Sequence, residues 1–111
     1  MQSNRWEGLQ AILHDEFVLE FPQSGERMRG CDNFMAFNAE YPAAGPWQFD
    51  VRRIVADAGG TVSEVGVTDG AVVALVVSYF ELRDGLIWRM TEYWPDPMPA
   101  LENRAHLVEM M

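Results

Sequence analysis

Between Val76 and Pro97 the chain reads VVSYFELRDGLIWRMTEYWPDP, two runs of hydrophobic and polar positions around Asp84-Gly85. This pattern predicts two strands joined by a tight two-residue turn, since Asp-Gly tolerates positive φ. Such a turn sets Arg83 opposite Leu86, Glu81 opposite Trp88, Tyr79 opposite Met90 and Val77 opposite Glu92. Opposed residues share a face. One face then carries Leu75, Val77, Tyr79, Glu81, Trp88, Met90, Glu92 and Trp94. The other carries Val76, Ser78, Phe80, Leu82, Ile87, Arg89, Thr91 and Tyr93. Both are rich in apolar groups, whereas an antiparallel sheet commonly wets one face. A helix layer on one side and a second subunit on the other would satisfy both.

The same reading extends along the chain. Ser3 or Asn4 caps a helix over about Arg5 to His14, with Trp6, Leu9, Ile12 and Leu13 on one stripe. Glu16 to Phe21 alternates as a strand ended by Pro22. Ser24-Gly25 turns the chain into a short return strand, Glu26 to Arg29. A second helix runs from about Asp32 to Glu40, with Phe34, Met35, Phe37 and Tyr41 on its apolar side, and Pro42 to Pro46 form a loop. Strands follow over Trp47 to Asp57 and Thr61 to Thr68, joined by Ala58-Gly59-Gly60. Asp69-Gly70 then turns into the long hairpin. After Trp94 the prolines stop the sheet, and Leu101 to Met110 form a terminal helix. Helices segregated against one curved antiparallel sheet make an α+β fold.

Composition narrows the function classes. The 111 residues suit one domain, 1–111, with a real core. The formal charge is −9 and all eight basic residues are scattered arginines, so no basic stripe offers itself to nucleic acid or to an anionic membrane. Cys31 is the single cysteine, which excludes an intrachain disulfide and a cysteine-based metal site. No apolar run reaches membrane-spanning length and no signal-peptide pattern opens the chain, so a cytoplasmic location is expected.

The candidate chemistry centres on Glu92 among Met90, Trp88 and Trp94. A carboxylate among aromatic groups loses hydration and its pKa rises toward the range of a general acid or base. The alternative is a solvated Glu92 at the sheet rim, or one paired with Arg89 or Arg104. Glu20 is a second candidate carboxylate, unless Arg27 or Arg29 holds it on a solvated face. Tyr79 is a candidate oxyanion donor, or a packed sheet tyrosine. Trp47, Trp88, Met90, Trp94, Phe34 and Phe37 are candidates to line a pocket for a flat apolar ligand. His14 at a helix end reads as a cap, and His14 with His106 makes no metal site. Cys31, at a helix start that favours thiolate, reads as structural.

The words FVLEFPQSGERMRG, NAEYP and SYFELRDGLIWRMTEYWPDP, in this element order, resemble the SnoaL-like branch of the NTF2-like superfamily over about Asn4 to Val108. The resemblance implies a cone of curved sheet with helices closing an apolar pocket, and a homodimer through the outer sheet surface. It also implies a functionally mixed group of cyclases, isomerases, epoxide hydrolases and ligand binders. In the limonene-epoxide hydrolase branch GLIWRMTEYW carries a pocket aspartate, which matches Glu92. That branch's first-strand Tyr and Asn match Val18 and Glu20, and its Arg-Asp pair matches Val65 and Val67, so epoxide opening is not implied. Nor is the ketosteroid isomerase pattern matched by position, although Tyr79, Glu20 and Glu92 offer the same group types. Members usually begin with a long helix before the segment matching Asn4-Arg5-Trp6, so either the reading frame is short or the cone is open on one side. No cofactor is implied.

Overall fold

The computed structural model describes residues 6–40 and 45–111, and side chains from Gly8 onward within them. The expected cap at Ser3 or Asn4, the side chains of Trp6 and Tyr41, and most of the 42–46 loop lie outside the described residues.

Six strands form one sheet in the order β2-β1-β6-β5-β4-β3. They are β1 (Leu13–Phe21), β2 (Glu26–Arg29), β3 (Gln48–Asp57), β4 (Gly60–Thr68), β5 (Val73–Arg83) and β6 (Leu86–Tyr93). One helix, α1 (Cys31–Glu40), follows β2. The sheet is mixed rather than wholly antiparallel, because β1 and β6 run parallel. That pair closes the sheet between the two ends of the sequence, which strand-by-strand periodicity does not reveal.

The first helix is shorter than expected. It is a 3₁₀ turn over Trp6–Ala11, and the chain enters β1 at Leu13. Ile12 N–H bonds back to Leu9, but the Ile12 carbonyl accepts from Ile87 N–H at 2.8 Å, a sheet-type contact that a continuing helix could not make. His14 therefore lies in β1, not at a helix end. Its Nδ1 accepts the Glu16 N–H at 2.9 Å. The terminal helix is likewise only a 3₁₀ turn, Glu102–Leu107, with no buried residue to hold a longer one against the sheet.

The Asp84-Gly85 turn is as predicted, with φ of 55° and 76°, the doubly positive geometry that suits a tight hairpin. The register beyond it is not. Arg83 faces Leu86 and Leu82 faces Ile87, but Glu81 then faces Arg89, Phe80 faces Met90, Tyr79 faces Thr91 and Ser78 faces Glu92. Trp88 is an extra residue, a β-bulge that reverses the inside and outside of β6. Two guanidiniums lie over its ring, Arg83 Cζ at 3.8 Å and Arg89 Cζ at 4.6 Å from the ring centroid. A second bulge at Arg52 likewise interrupts the alternation of β3, since Val51 faces Val65 while Arg53 faces Glu64.

The inner face packs under α1 and the first 3₁₀ turn. Leu9, Leu13, Phe17, Leu19, Phe34 and Met90 form the buried core, with Leu9, Phe17 and Leu19 almost without solvent contact. Phe17 and Phe34 rings meet at 5.2 Å, and Phe21 and Phe37 at 5.7 Å. These contacts fix α1 over the sheet. The outer face carries Val62, Leu75, Val77, Tyr79, Thr91 and Tyr93 and has no helix on it among the described residues.

Candidate functional site

Between α1, the first 3₁₀ turn and the inner face lies a cavity of about 240 Å³. From α1 come Phe34, Phe37 and Asn38, at the i, i+3, i+4 spacing that shares one helix face. From β6 come Ile87, Met90 and Glu92, followed by Trp94. From β4 and β5 come Ser63, Val65, Val67, Val76, Ser78 and Phe80. Among the described residues that line this space, Glu92 is the one ionisable group.

Burial pushes the Glu92 carboxyl up from its ordinary 4.5 to about 6, partly offset by the Trp94 indole N–H, which donates to Glu92 Oε1 at 3.3 Å. Lost hydration penalises the charged form more than one long hydrogen bond restores it. Trp94 is itself held where the sheet ends, its backbone N–H donating to Gln23 Oε1 at 2.6 Å. The carboxyl and its indole partner are thus fixed at one end of the cone.

The bulge at Trp88 decides who accompanies Glu92. Met90 and Trp94 stand beside it in the cavity wall, as expected, and Phe34 and Phe37 face it from α1. Tyr79 does not. It pairs with Thr91 on the outer face, is 48% exposed, and meets Tyr93 edge-on at 6.0 Å. Trp88 sits in the bulge beside two arginines and does not line the cavity, and Trp47, half-buried before β3, does not line it either. Phe80, read with Arg89 and Tyr93 onto the face opposite Glu92, lines the cavity.

Glu20 is also on the wrong side. It pairs with Thr91 across the parallel β1–β6 ladder, whereas its neighbour Leu19 pairs with Met90 inside. The Arg27 guanidinium donates to Glu20 Oε2 from Nε and Nη2, at 2.9 and 2.8 Å, at the exposed sheet edge. Of the two carboxylates, only Glu92 reaches the cavity.

Three polar cavity groups escaped sequence reasoning: Ser63, Ser78 and Asn38. Ser63 and Ser78 are 8% and 4% exposed. Ser63 is directly opposite Ser78, and Ser78 directly opposite Glu92, so a polar row crosses β4, β5 and β6 on the inner face. Cross-strand partners of this kind lie about 5 Å apart at Cβ. Asn38 Nδ2 donates to the Phe34 carbonyl at 2.8 Å. The signal for the serines was present, as small polar residues inside strongly apolar strands, but it pointed inward only once the bulge was known.

Other candidate chemistry is absent among the described residues. No group of histidine, cysteine and acidic side chains is arranged to hold a metal. Cys31 is pushed up by burial and by the neighbouring Asp32 charge, the reverse of an activated thiolate. No described helix is long and apolar enough to cross a membrane. A concavity of about 520 Å³ is an open groove on the outer face lined by Val55, Tyr79, Glu81, Arg89 and Tyr93. Phe80 borders both this groove and the inner cavity.

A curved six-stranded sheet with a helix closing an apolar cavity defines an NTF2-like α+β cone. The family model for the SnoaL-like domain matches residues 1–90, and the chain belongs to that family. A ketosteroid isomerase candidate from Kribbella flavida is 35% identical and superposes with a TM-score of 0.89 over 99% of this chain and 80% of its own. An NTF-2 like protein of unknown function from Burkholderia xenovorans is 29% identical, with a TM-score of 0.78 over 99% of this chain and 85% of its own. An LEH-like epoxide hydrolase from M. tuberculosis shares the fold at 23% identity, with a TM-score of 0.67 over 85% of this chain and 73% of its own. No curated protein matches the chain.

Proposed function

We propose that this protein binds a small apolar or aromatic molecule in its inner cavity and acts on it by cofactor-free acid/base chemistry centred on Glu92. The observation that carries the reading is the position of Glu92, the one ionisable group among the described residues of a largely apolar wall, with a pKa near 6. A carboxyl so tuned takes up and returns a proton at neutral pH, the requirement of an isomerase, cyclase or hydrolase of this type. Asn38 and the two serines would orient the polar end of the molecule, and Phe34, Phe37, Met90 and Trp94 would hold its body.

The test is a crystal structure soaked with small aromatic and terpenoid compounds, followed by turnover assays on any that bind. The reading expects density beside Glu92 and activity lost in Glu92→Gln without loss of folding. A cavity that admits none of them would sink it.

A second reading has its own support on the outer face, where Tyr79 and Tyr93 are 48% and 37% exposed beside Val62 and Val77. A sheet surface of this kind suits a homodimer or an assembly module. Sedimentation of the parent and of Tyr79→Glu separates the cases. Dimer loss in the variant with the inner site intact would assign the outer face to association.

A further inference from the structure

The charges around the cavity bear on what enters it, which deepens the ligand-binding reading and rests on it. Glu92 also lines a neighbouring cleft, shared with Phe21, Gln23, Glu26, Phe37, Trp94 and Asp96. Glu26 from β2 and Asp96 from the segment after β6 line that cleft with Glu92, both acidic and both exposed. Among the described residues, neither arginine nor histidine lines the cavity or this cleft. The chain as a whole carries −9.

An anionic ligand would meet Glu92 with no cation among the described lining residues to offset the repulsion, in a space where water screens poorly. A cation meets the opposite situation. It finds a carboxylate, acidic groups at the cleft that attract it, and the rings of Phe34, Phe37, Phe49, Phe80 and Trp94 around the same cavity, whose faces favour positive charge. The Ser63–Ser78–Glu92 row supplies hydroxyl oxygens that accept N–H bonds, with the serines more than nine-tenths buried. The volume of about 240 Å³ lies below the usual range of about 300–1,000 Å³ for ligand pockets, so the molecule is compact.

We infer that the cavity selects a compact aromatic monoamine, seated with its ammonium on the Ser63–Ser78–Glu92 row, and rejects the carboxylate of the same shape. Ser63 and Ser78 are ligand-binding residues in this arrangement.

The experiment compares 2-phenylethylamine, 2-phenylethanol and phenylacetate by calorimetry and by NMR shift mapping on the whole chain. The amine is expected to bind most tightly, and phenylacetate on the order of 100-fold more weakly than the amine. Between pH 5 and 7 amine affinity should rise roughly tenfold as Glu92 ionises, while the alcohol stays level. In Glu92→Gln the amine should lose its advantage over the alcohol, and Ser78→Ala should weaken both roughly fivefold. If the alcohol and phenylacetate bind in the cavity as well as the amine, the charge selection is overturned and the ligand-binding reading stands. If none of the three shifts the cavity resonances, both are overturned. The wild-type pH series decides the matter even where a variant does not fold.

Discussion

Ser78 on β5 and Glu92 on β6 are direct cross-strand partners, and they are so because Trp88 occupies an extra place in β6. Without that bulge Val77 would face Glu92, and the carboxyl would share the outer face with Tyr79. Two arginines lie over the Trp88 ring in the bulge. A feature outside the cavity thus determines what the cavity contains.

The bulge gives the first prediction. Trp88→Ala removes both ring contacts and should cost about 1–2 kcal/mol, with Arg83→Ala and Arg89→Ala costing about 0.5–1 kcal/mol each. Urea denaturation measures all three. A neutral Trp88→Ala would mean that the stack does not hold the bulge.

Glu92 gives a pH-dependent prediction. Its folded pKa, about 6, lies above the ordinary 4.5, so between these values the native state holds a proton that the unfolded state has lost. The stability contributed by the protonated carboxyl is fully present below about 4.5 and is lost as pH rises through 6. Above that, the buried charge costs at most about 2 kcal/mol. Glu92→Gln should therefore be more stable than the parent at pH 7–8, by about 1–2 kcal/mol, and the gap should close by pH 4.5. Paired melts across this range measure it. A variant less stable than its parent at pH 8 would contradict the assignment.

The outward groups give a contrasting prediction. Glu20→Ala breaks an exposed pair with Arg27 and should cost less than about 1 kcal/mol. Neither it nor Tyr79→Phe should alter affinity for a molecule held in the inner cavity by more than about twofold, as titration calorimetry would report. A large loss in either would bring the outer face back into the site.

Much of the fold was legible in the chain. Turn chemistry at Asp84-Gly85, Ser24-Gly25 and Gly59-Gly60 placed the hairpins, and Phe34 and Phe37 marked the face of α1 that meets the sheet. Glu92, Met90 and Trp94 were legible because they alternate along β6, and that relation holds whichever way β6 faces. Their companions were not. Opposition across a hairpin depends on every residue between the turn and the pair, so one bulge at Trp88 exchanged Tyr79 for Ser78. The parallel pairing of β1 with β6 set Glu20 on the outside through a contact between distant parts of the chain, where local pattern carries no information. The expected N-terminal helix lost its last turn to the same long-range pairing, through Ile12 and Ile87.

The most direct test is a carboxyl ¹³C titration of Glu92, assigned by comparison with Glu92→Gln, in the free protein and with 2-phenylethylamine added. The account predicts a midpoint near 6 in the free protein and a lower one when the cavity is filled by the amine. A midpoint at the ordinary 4.5, unmoved by the ligand, would place Glu92 in solvent and contradict the site.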